Sequence, residues 1–165
     1  MPAFEDILYC SDYSEDADSA FDHAYDQAQK HNATLHIINV IASVNPCMIC
    51  FDPMIGKEEC QKKSMQEDEH RRIEELGGLK KVYGPKCQAI DKHCFVVRVG
   101  SPDVEIIQYA HDHCIDMIIM GTAGRSDKRR NIYIKTAANV SKFANCQVIT
   151  IGSPNKELSF QTMDQ

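Results

Sequence analysis

The chain has 165 residues, the size of one domain, with 43% hydrophobic residues and a formal net charge of −6. An acidic surface repels the phosphate backbone, which argues against general nucleic-acid binding. The sequence has no apolar run long enough to span a membrane and no basic-then-apolar N-terminal signal. We therefore expect a cytoplasmic protein that does not bind membranes, and we expect most of its eight cysteines to be reduced and buried.

The first part of the chain predicts a strand, a helix and a second strand. Residues 4–10 form an apolar strand pattern, and Ser14 is followed by acidic residues that favour a helix start. Small apolar residues then recur at helical spacing, which predicts a helix over residues 14–31. Residues 34–41 are rich in β-branched side chains and predict a second buried strand.

The middle of the chain interrupts this pattern. Residues 42–56 contain the turn formers Asn45-Pro46 and Asp52-Pro53, which predict a loop insertion. Residues 57–76 are heavily charged with a thin apolar stripe, and Gly77-Gly78 follows them. We expect a largely exposed helix that ends at these two glycines.

The second half of the chain alternates strands and helices. Residues 93–99 predict a third strand, and Ser101-Pro102 marks the next helix start. The buried face of that helix is predicted to consist of Val104, Ile107, Ala110 and Cys114. Residues 117–121 and 147–151 predict two further strands with a helix between them. Such alternation is typical of a parallel α/β sheet.

A glycine loop follows the fourth predicted strand. Gly121 and Gly124 permit a ligand to approach the backbone closely, and Arg125 adds positive charge beside them. Phosphate is the ligand that this combination favours. Glycines after a strand are also common in ordinary turns, so the pattern alone leaves both interpretations open.

The segments at residues 7–14, 97–103 and 116–126 resemble the universal stress protein family. The resemblance covers nearly all of residues 4–152 except 42–92. It implies one domain over residues 1–152, followed by a polar tail at 153–165. It also implies an open parallel five-stranded sheet of order 3-2-1-4-5, with helices on both faces and a crevice between strands one and four.

Nucleotide-binding members of the family carry Gly-x-x-Gly, nine further residues, and then Gly with Ser or Thr. This chain has Ile134 and Lys135 where the family has the last pair. The resemblance therefore implies a crevice for ATP or another adenine nucleotide in which phosphate binding is weakened or lost. The candidate nucleotide contacts are Ser11, Asp12, Val40, Met120, Gly121, Gly124, Arg125 and Lys135.

A second group of residues suggests different chemistry. Cys47 and Cys50 form a C-x-x-C pair, and Cys60 and His70 follow downstream. These four residues are candidate zinc ligands, although a strong zinc signature repeats the close pair. A redox pair of Cys47 with Cys50, or plain loop cysteines, are the alternatives.

No nucleophile is arranged with a base in a recognised catalytic motif. We therefore expect a regulatory, stress-linked protein rather than an enzyme. The alternative is a thiol or zinc sensor built on the Cys47-x-x-Cys50 insertion. In this family the last strand commonly pairs across subunits, which implies a homodimer through residues 147–151; charge and hydropathy give no sign of nucleic-acid or membrane partners.

Overall fold

The computed structural model of the chain describes residues 3–44, 54–122 and 130–152. Strands and helices alternate along most of the described chain, and a short 3₁₀ turn at Pro85–Cys87 follows the second helix. The strands are β1 (Asp6–Cys10), β2 (Thr34–Ile41), β3 (His93–Val99), β4 (Met117–Gly121) and β5 (Gln147–Ile151). The helices are α1 (Glu15–His31), α2 (Lys57–Tyr83), α3 (Pro102–Asp112) and α4 (Arg130–Phe143). No described helix combines the length and apolar character that crossing a bilayer requires.

The five strands form one parallel sheet in the order β3-β2-β1-β4-β5. This confirms the predicted α/β fold and its strand order. β1 is the central strand, and its Tyr9 lies between Ile37 of β2 and Ile119 of β4. Because the connections leave β1 in opposite directions, the carboxyl ends of β1 and β4 border the position at which such sheets bind ligands.

The hydrophobic core is divided between the two faces of the sheet. One face packs on α1 and α2, and alanines at four buried positions let α1 lie close to the strands. The other face packs on α3 and α4 through residues such as Leu8, Ile38 and Ile118. Alternate residues of each strand therefore enter opposite core layers, as a sheet covered on both faces requires.

The boundaries of α1 agree with the prediction because both of its ends are capped. Ser14 accepts a hydrogen bond from the Ala17 N–H, and Asn32 ends the helix in the left-handed conformation with φ 51°. Both residues have short polar side chains that suit these positions. The local sequence is therefore sufficient to define this helix.

The predicted end of α2 is wrong. The helix continues through Gly77 and Gly78 to Tyr83, and Leu79 and Tyr83 are completely buried. Each glycine costs about 1 kcal/mol of helix stability, whereas full burial of a large apolar side chain contributes about 1.5–3 kcal/mol. Burial of the last turn therefore outweighs the local signal to stop, and this end of α2 is part of the core.

The buried face of α3 also differs from the prediction. Ile106, Tyr109 and Ala110 are buried, whereas Val104 is 59% exposed and Cys114 lies beyond the helix on the surface. Apolar residues occur on two overlapping helical faces here, and the sequence does not distinguish them.

The expectation that the cysteines are mostly buried holds for only part of the described set, since Cys10 and Cys87 are buried and three other free cysteines are not.

We predict that Gly77→Ala and Gly78→Ala each stabilise the protein. A Cβ atom at either position meets no atom within 4 Å, and alanine removes the entropic cost of glycine in a helix. The free energy of unfolding, measured by urea denaturation, should rise by about 0.5–1 kcal/mol for each change.

Gly84→Ala is the matched control at the end of the same helix. Its Cβ would overlap the Lys80 carbonyl oxygen, so we expect destabilisation of about 1–3 kcal/mol. Destabilisation by both central substitutions would contradict the continuous helix.

Candidate functional site

A crevice lies at the carboxyl ends of β1, β2 and β4, where the topology places the switch point. It has about 460 Å³ of empty space that is continuous with solvent. The lining residues are Cys10, Ser11, Asp12, Ile38, Asn39, Val40, Pro102, Ile106, Met120, Gly121 and Thr136. The apolar residues come mainly from the strands and α3, and the polar ones from the end of β1, β2 and α4.

The fold brings five of the predicted contact residues to this crevice. They are Ser11, Asp12, Val40, Met120 and Gly121. Gly124 and Arg125 lie outside the described residues. Lys135 is exposed and is absent from the lining, whereas the next residue, Thr136, is buried and does line the crevice. A residue with a hydroxyl group therefore lines the crevice one position after the one that the family motif indicates.

Asp12 is engaged with the start of α1. Its Oδ1 accepts hydrogen bonds from the Ser14 N–H at 2.9 Å and from the Ser14 hydroxyl. Ser14 Oγ in turn accepts from the Ala17 N–H at 3.1 Å. One carboxylate oxygen of Asp12 thus holds the capping residue in place while the residue itself lines the crevice.

Gly121 is required by packing at the end of β4. A Cβ atom at this position would lie 3.0 Å from the Ala17 nitrogen and 3.0 Å from the Asp16 carbonyl carbon. Both are backbone atoms of the first turn of α1, which cannot move aside as a flexible side chain can. The glycine therefore allows α1 to approach the strand end, independently of any ligand.

A chain of hydroxyl groups runs from the crevice residue Ser11 into the core between β1, α1 and α2. Ser11 Oγ lies 2.6 Å from Tyr83 Oη, and Tyr83 Oη lies 3.0 Å from Tyr9 Oη. The Tyr9 hydroxyl donates to the Ala17 carbonyl at 2.7 Å, and the Tyr13 N–H donates to Ser11 Oγ at 3.2 Å. Since the single proton of Tyr9 is used on the carbonyl, Tyr83 donates to Tyr9 and Ser11 donates to Tyr83.

Burial raises the pKa of both Tyr9 and Tyr83, so their hydroxyls stay protonated at neutral pH. Every hydroxyl in the chain then both donates and accepts one hydrogen bond. Such a fully satisfied buried network holds its members in one arrangement. It connects the end of β1 with the last turn of α2 and the first turn of α1.

Two further polar groups, which sequence analysis missed, stabilise the walls. Asn39 is buried and its side-chain N–H donates to the Ser11 carbonyl at 2.9 Å. Asp103 accepts from the Ser101 hydroxyl at 2.6 Å and from Asn139 at 2.7 Å, and these bonds lower its pKa. The bond between Asp103 and Asn139 joins α3 to α4, which lie on either side of the crevice. The only sequence signal for Asn39 was an amide within an otherwise apolar strand.

The predicted zinc ligands do not come together in the described structure. Cys60 and His70 lie ten residues apart on α2, a separation of about 15 Å along the helix axis, so they cannot bind one zinc ion. Cys60 is also disulfide-bonded and has no thiolate to offer a metal. Cys47 and Cys50 lie outside the described residues. Among residues 3–44, 54–122 and 130–152 there is no cluster of three metal-binding side chains.

Comparison with known proteins gives a consistent result. The model of the universal stress protein family matches residues 3–152, including the middle segment that the sequence analysis had set apart. A universal stress protein of Methanocaldococcus jannaschii is 26% identical over 154 residues, which cover 93% of this chain and 85% of that protein.

Solved structures share the fold. Protein MJ0577 of the same archaeon is 23% identical with a TM-score of 0.69, over 94% of this chain and 100% of that one. A universal stress protein in complex with cAMP is 16% identical, with a TM-score of 0.62 over 92% and 98% of the chains. A family protein of Arabidopsis thaliana with AMP bound is 17% identical, with a TM-score of 0.55 over 98% and 99%.

We predict that Tyr83→Phe destabilises the protein by about 1–3 kcal/mol, because it leaves buried partners at Ser11 and Tyr9 without their shared hydroxyl. Urea denaturation measures the change. Tyr25→Phe is the matched control, since its hydroxyl only accepts a 3.3 Å bond from Gln29 at the surface and should matter by less than about 0.5 kcal/mol. Equal effects of the two substitutions would show that the hydroxyl chain contributes nothing.

Proposed function

This chain belongs to the universal stress protein family, and we propose that it is a stress-response protein whose crevice binds an adenine nucleotide with weak phosphate contacts. The observation that carries the proposal is the convergence of Asp12, Val40 and Gly121 at the carboxyl ends of three adjacent strands. Open α/β sheets bind ligands at this edge. The similar proteins that hold cAMP and AMP support the choice of ligand class.

The crevice has an apolar side and a polar side, as a nucleotide requires. Val40, Ile106 and Met120 offer surface to a planar base, and Asp12 and Thr136 offer polar atoms to a ribose or phosphate. We infer that Asp12 accepts a hydrogen bond from a ribose hydroxyl, the role that an acidic residue has in other nucleotide-binding sheets. This division supports base and ribose recognition independently of the phosphates.

Phosphate binding is the part that this chain has altered. Ile134 and Lys135 replace the family's Gly and its hydroxyl residue, and Lys135 is exposed. Each unmet polar group costs about 1–3 kcal/mol, which corresponds to roughly a 10- to 100-fold loss in affinity. Thr136 retains one hydroxyl in the crevice. We therefore propose that this protein binds ATP with little more affinity than AMP.

We also propose a homodimer that forms through β5. This strand is at the edge of the sheet and carries Val148, Ile149 and Ile151, which are only partly buried. An apolar edge strand with unpaired backbone groups favours pairing with another chain, and a second copy is the partner that symmetry favours. We also propose a cytoplasmic location, which the five free cysteines of the described chain favour and the disulfide bond of Cys60 opposes, since reducing compartments keep thiols unpaired.

A thiol sensor built on the insertion is the alternative function. The disulfide bond of Cys60 favours redox chemistry over zinc binding in this segment. Peptide mapping of oxidised and reduced protein tests it, and a Cys60 that stays reduced under oxidant would eliminate it. This alternative and nucleotide binding use different parts of the chain, so each can be tested without the other.

We predict that Ile134→Gly combined with Lys135→Ser raises the affinity for ATP by at least about tenfold. The change restores a backbone that phosphate can approach and the hydroxyl of the family motif. Titration calorimetry with adenosine, AMP and ATP on both forms measures the effect, and the affinity for adenosine should stay the same.

Lys142→Ser is the matched control, because it removes an exposed lysine from α4 outside the crevice lining. It should leave all three affinities unchanged. Tight ATP binding by the unmodified chain would contradict the proposed loss of phosphate contacts. The absence of adenosine binding in every form would contradict the nucleotide site itself.

We predict that Thr150→Lys converts the dimer to a monomer. Thr150 is exposed and its side chain points to the opposite face from Ile149 and Ile151, so the lysine adds charge at the edge without opening the core. Light scattering at micromolar concentration measures the mass. Gln88→Lys adds the same charge at an exposed position away from β5 and should remain dimeric. A dimeric Thr150→Lys variant would remove β5 as the interface.

A further inference from the structure

A thiol, an imidazole and a carboxylate meet on the face of the sheet covered by α3. His36 of β2 is the register partner of Cys94 of β3, and the Cys94 sulfur lies 3.2 Å from His36 Nδ1. His36 Nε2 lies 2.9 Å from Asp6 Oδ1 at the start of β1. Tyr109 of α3 places its hydroxyl 2.9 Å from the same Nδ1 atom. None of these four residues lines the crevice.

The hydrogen-bond partners determine which nitrogen of His36 carries a proton. An ionised carboxylate accepts only, so Nε2–H donates to Asp6 and Nδ1 has its lone pair directed towards Cys94 and Tyr109. Asp6 therefore orients the imidazole and selects the tautomer in which Nδ1 can accept a proton. The same division of roles between carboxylate, imidazole and nucleophile occurs in hydrolytic triads.

We propose that Cys94 is a reactive thiol that reduces small hydroperoxides, with His36 as its general base and Asp6 as a positioning residue. The thiol sulfur attacks one peroxide oxygen as its proton moves to His36 Nδ1. The O–O bond breaks, and His36 returns the proton to the leaving oxygen. With hydrogen peroxide, Cys94-SH and H₂O₂ give Cys94-SOH and water, so sulfur is oxidised and the peroxide is reduced.

The surroundings of Cys94 fit a base-assisted reaction. Burial and the Asp6 charge raise the pKa of the Cys94 thiol, so the resting sulfur is protonated and needs an acceptor within reach. Burial also raises the pKa of Tyr109, which therefore keeps its hydroxyl proton and can donate to the sulfur as negative charge develops. Arg98 adds a fixed positive charge, with its guanidinium carbon 5.4 Å from the Tyr109 ring.

Access to the sulfur selects small oxidants. Cys94 is partly buried, between the neighbouring strand and α3, whereas Cys114 is fully at the surface. The Tyr109 hydroxyl and the Cys94 sulfur both lie against His36 Nδ1, and the His113 ring stacks on the Tyr109 ring at 3.9 Å. Hydrogen peroxide is close to water in size, so it needs less space beside the partly buried sulfur than a bulky alkylating reagent or a disulfide does. Cys114 therefore provides an internal reference thiol that is exposed to solvent.

The test is the rate of sulfenic acid formation at each cysteine after addition of hydrogen peroxide to the full chain. Trapping with dimedone and peptide mass spectrometry identifies the modified residue. At pH 7 we expect Cys94 to react at least about tenfold faster than Cys114, and His36→Gln to lower the Cys94 rate by about tenfold or more. The difference between wild type and His36→Gln should narrow as the pH rises through the pKa of the Cys94 thiol, which burial raises above its ordinary value, because a thiolate needs no base.

His70→Gln is the matched control, because it removes an exposed imidazole from α2 and should leave the Cys94 rate unchanged. Asp6→Asn and Tyr109→Phe should each slow the reaction. If circular dichroism shows that His36→Gln is unfolded, these two variants provide the test instead. A Cys94 rate no higher than that of Cys114, or equal rates in wild type and all three cluster variants, would overturn the proposal. In that case the cluster would only satisfy buried polar groups.

Discussion

The hydroxyl of Tyr83 is the contact that ties two helices to the central strand of the sheet. It bridges Ser11 at the end of β1 and Tyr9 in the middle of the same strand, and it comes from the last turn of α2. Through Tyr9 the bridge continues to the Ala17 carbonyl of α1. Two helices that are distant in sequence are thereby fixed to the strand whose carboxyl end borders the crevice, and these directional bonds add to the non-directional packing of the core.

The sequence predicted those features that depend on local chemistry. Ser14 and Asn32 define α1 because capping is decided within a few residues. The end of α2 could not be predicted in this way, since Gly77 and Gly78 favour a stop and the burial of Tyr83 against distant strands overrides them. The strand order came from family resemblance, because hydrophobic periodicity carries no information on which strands are neighbours.

The crevice was predicted in part for a similar reason. Asp12, Val40 and Gly121 follow from the rule that strand ends meet at one edge of the sheet. Counting along the motif led to Lys135, whereas the helix directs the next residue, Thr136, inwards. The cluster of His36 and Cys94 escaped notice because its members are dispersed in sequence and become neighbours only through the register of β2 and β3. A polar residue inside an apolar strand was the available sign, at His36 as at Asn39.

The hydroxyl chain has a fixed direction, because it begins at a backbone donor, the Tyr13 N–H, and ends at a backbone acceptor, the Ala17 carbonyl. Reversing the hydroxyl protons would leave both ends without a partner, so each hydroxyl of the chain has a single orientation. Each intermediate position must hold a group that donates one hydrogen bond and accepts another. At position 11 threonine meets this condition, whereas alanine and valine do not. The need for one donor and one acceptor at each position thus restricts which residues can form this hydroxyl chain, whether or not a ligand binds beside it.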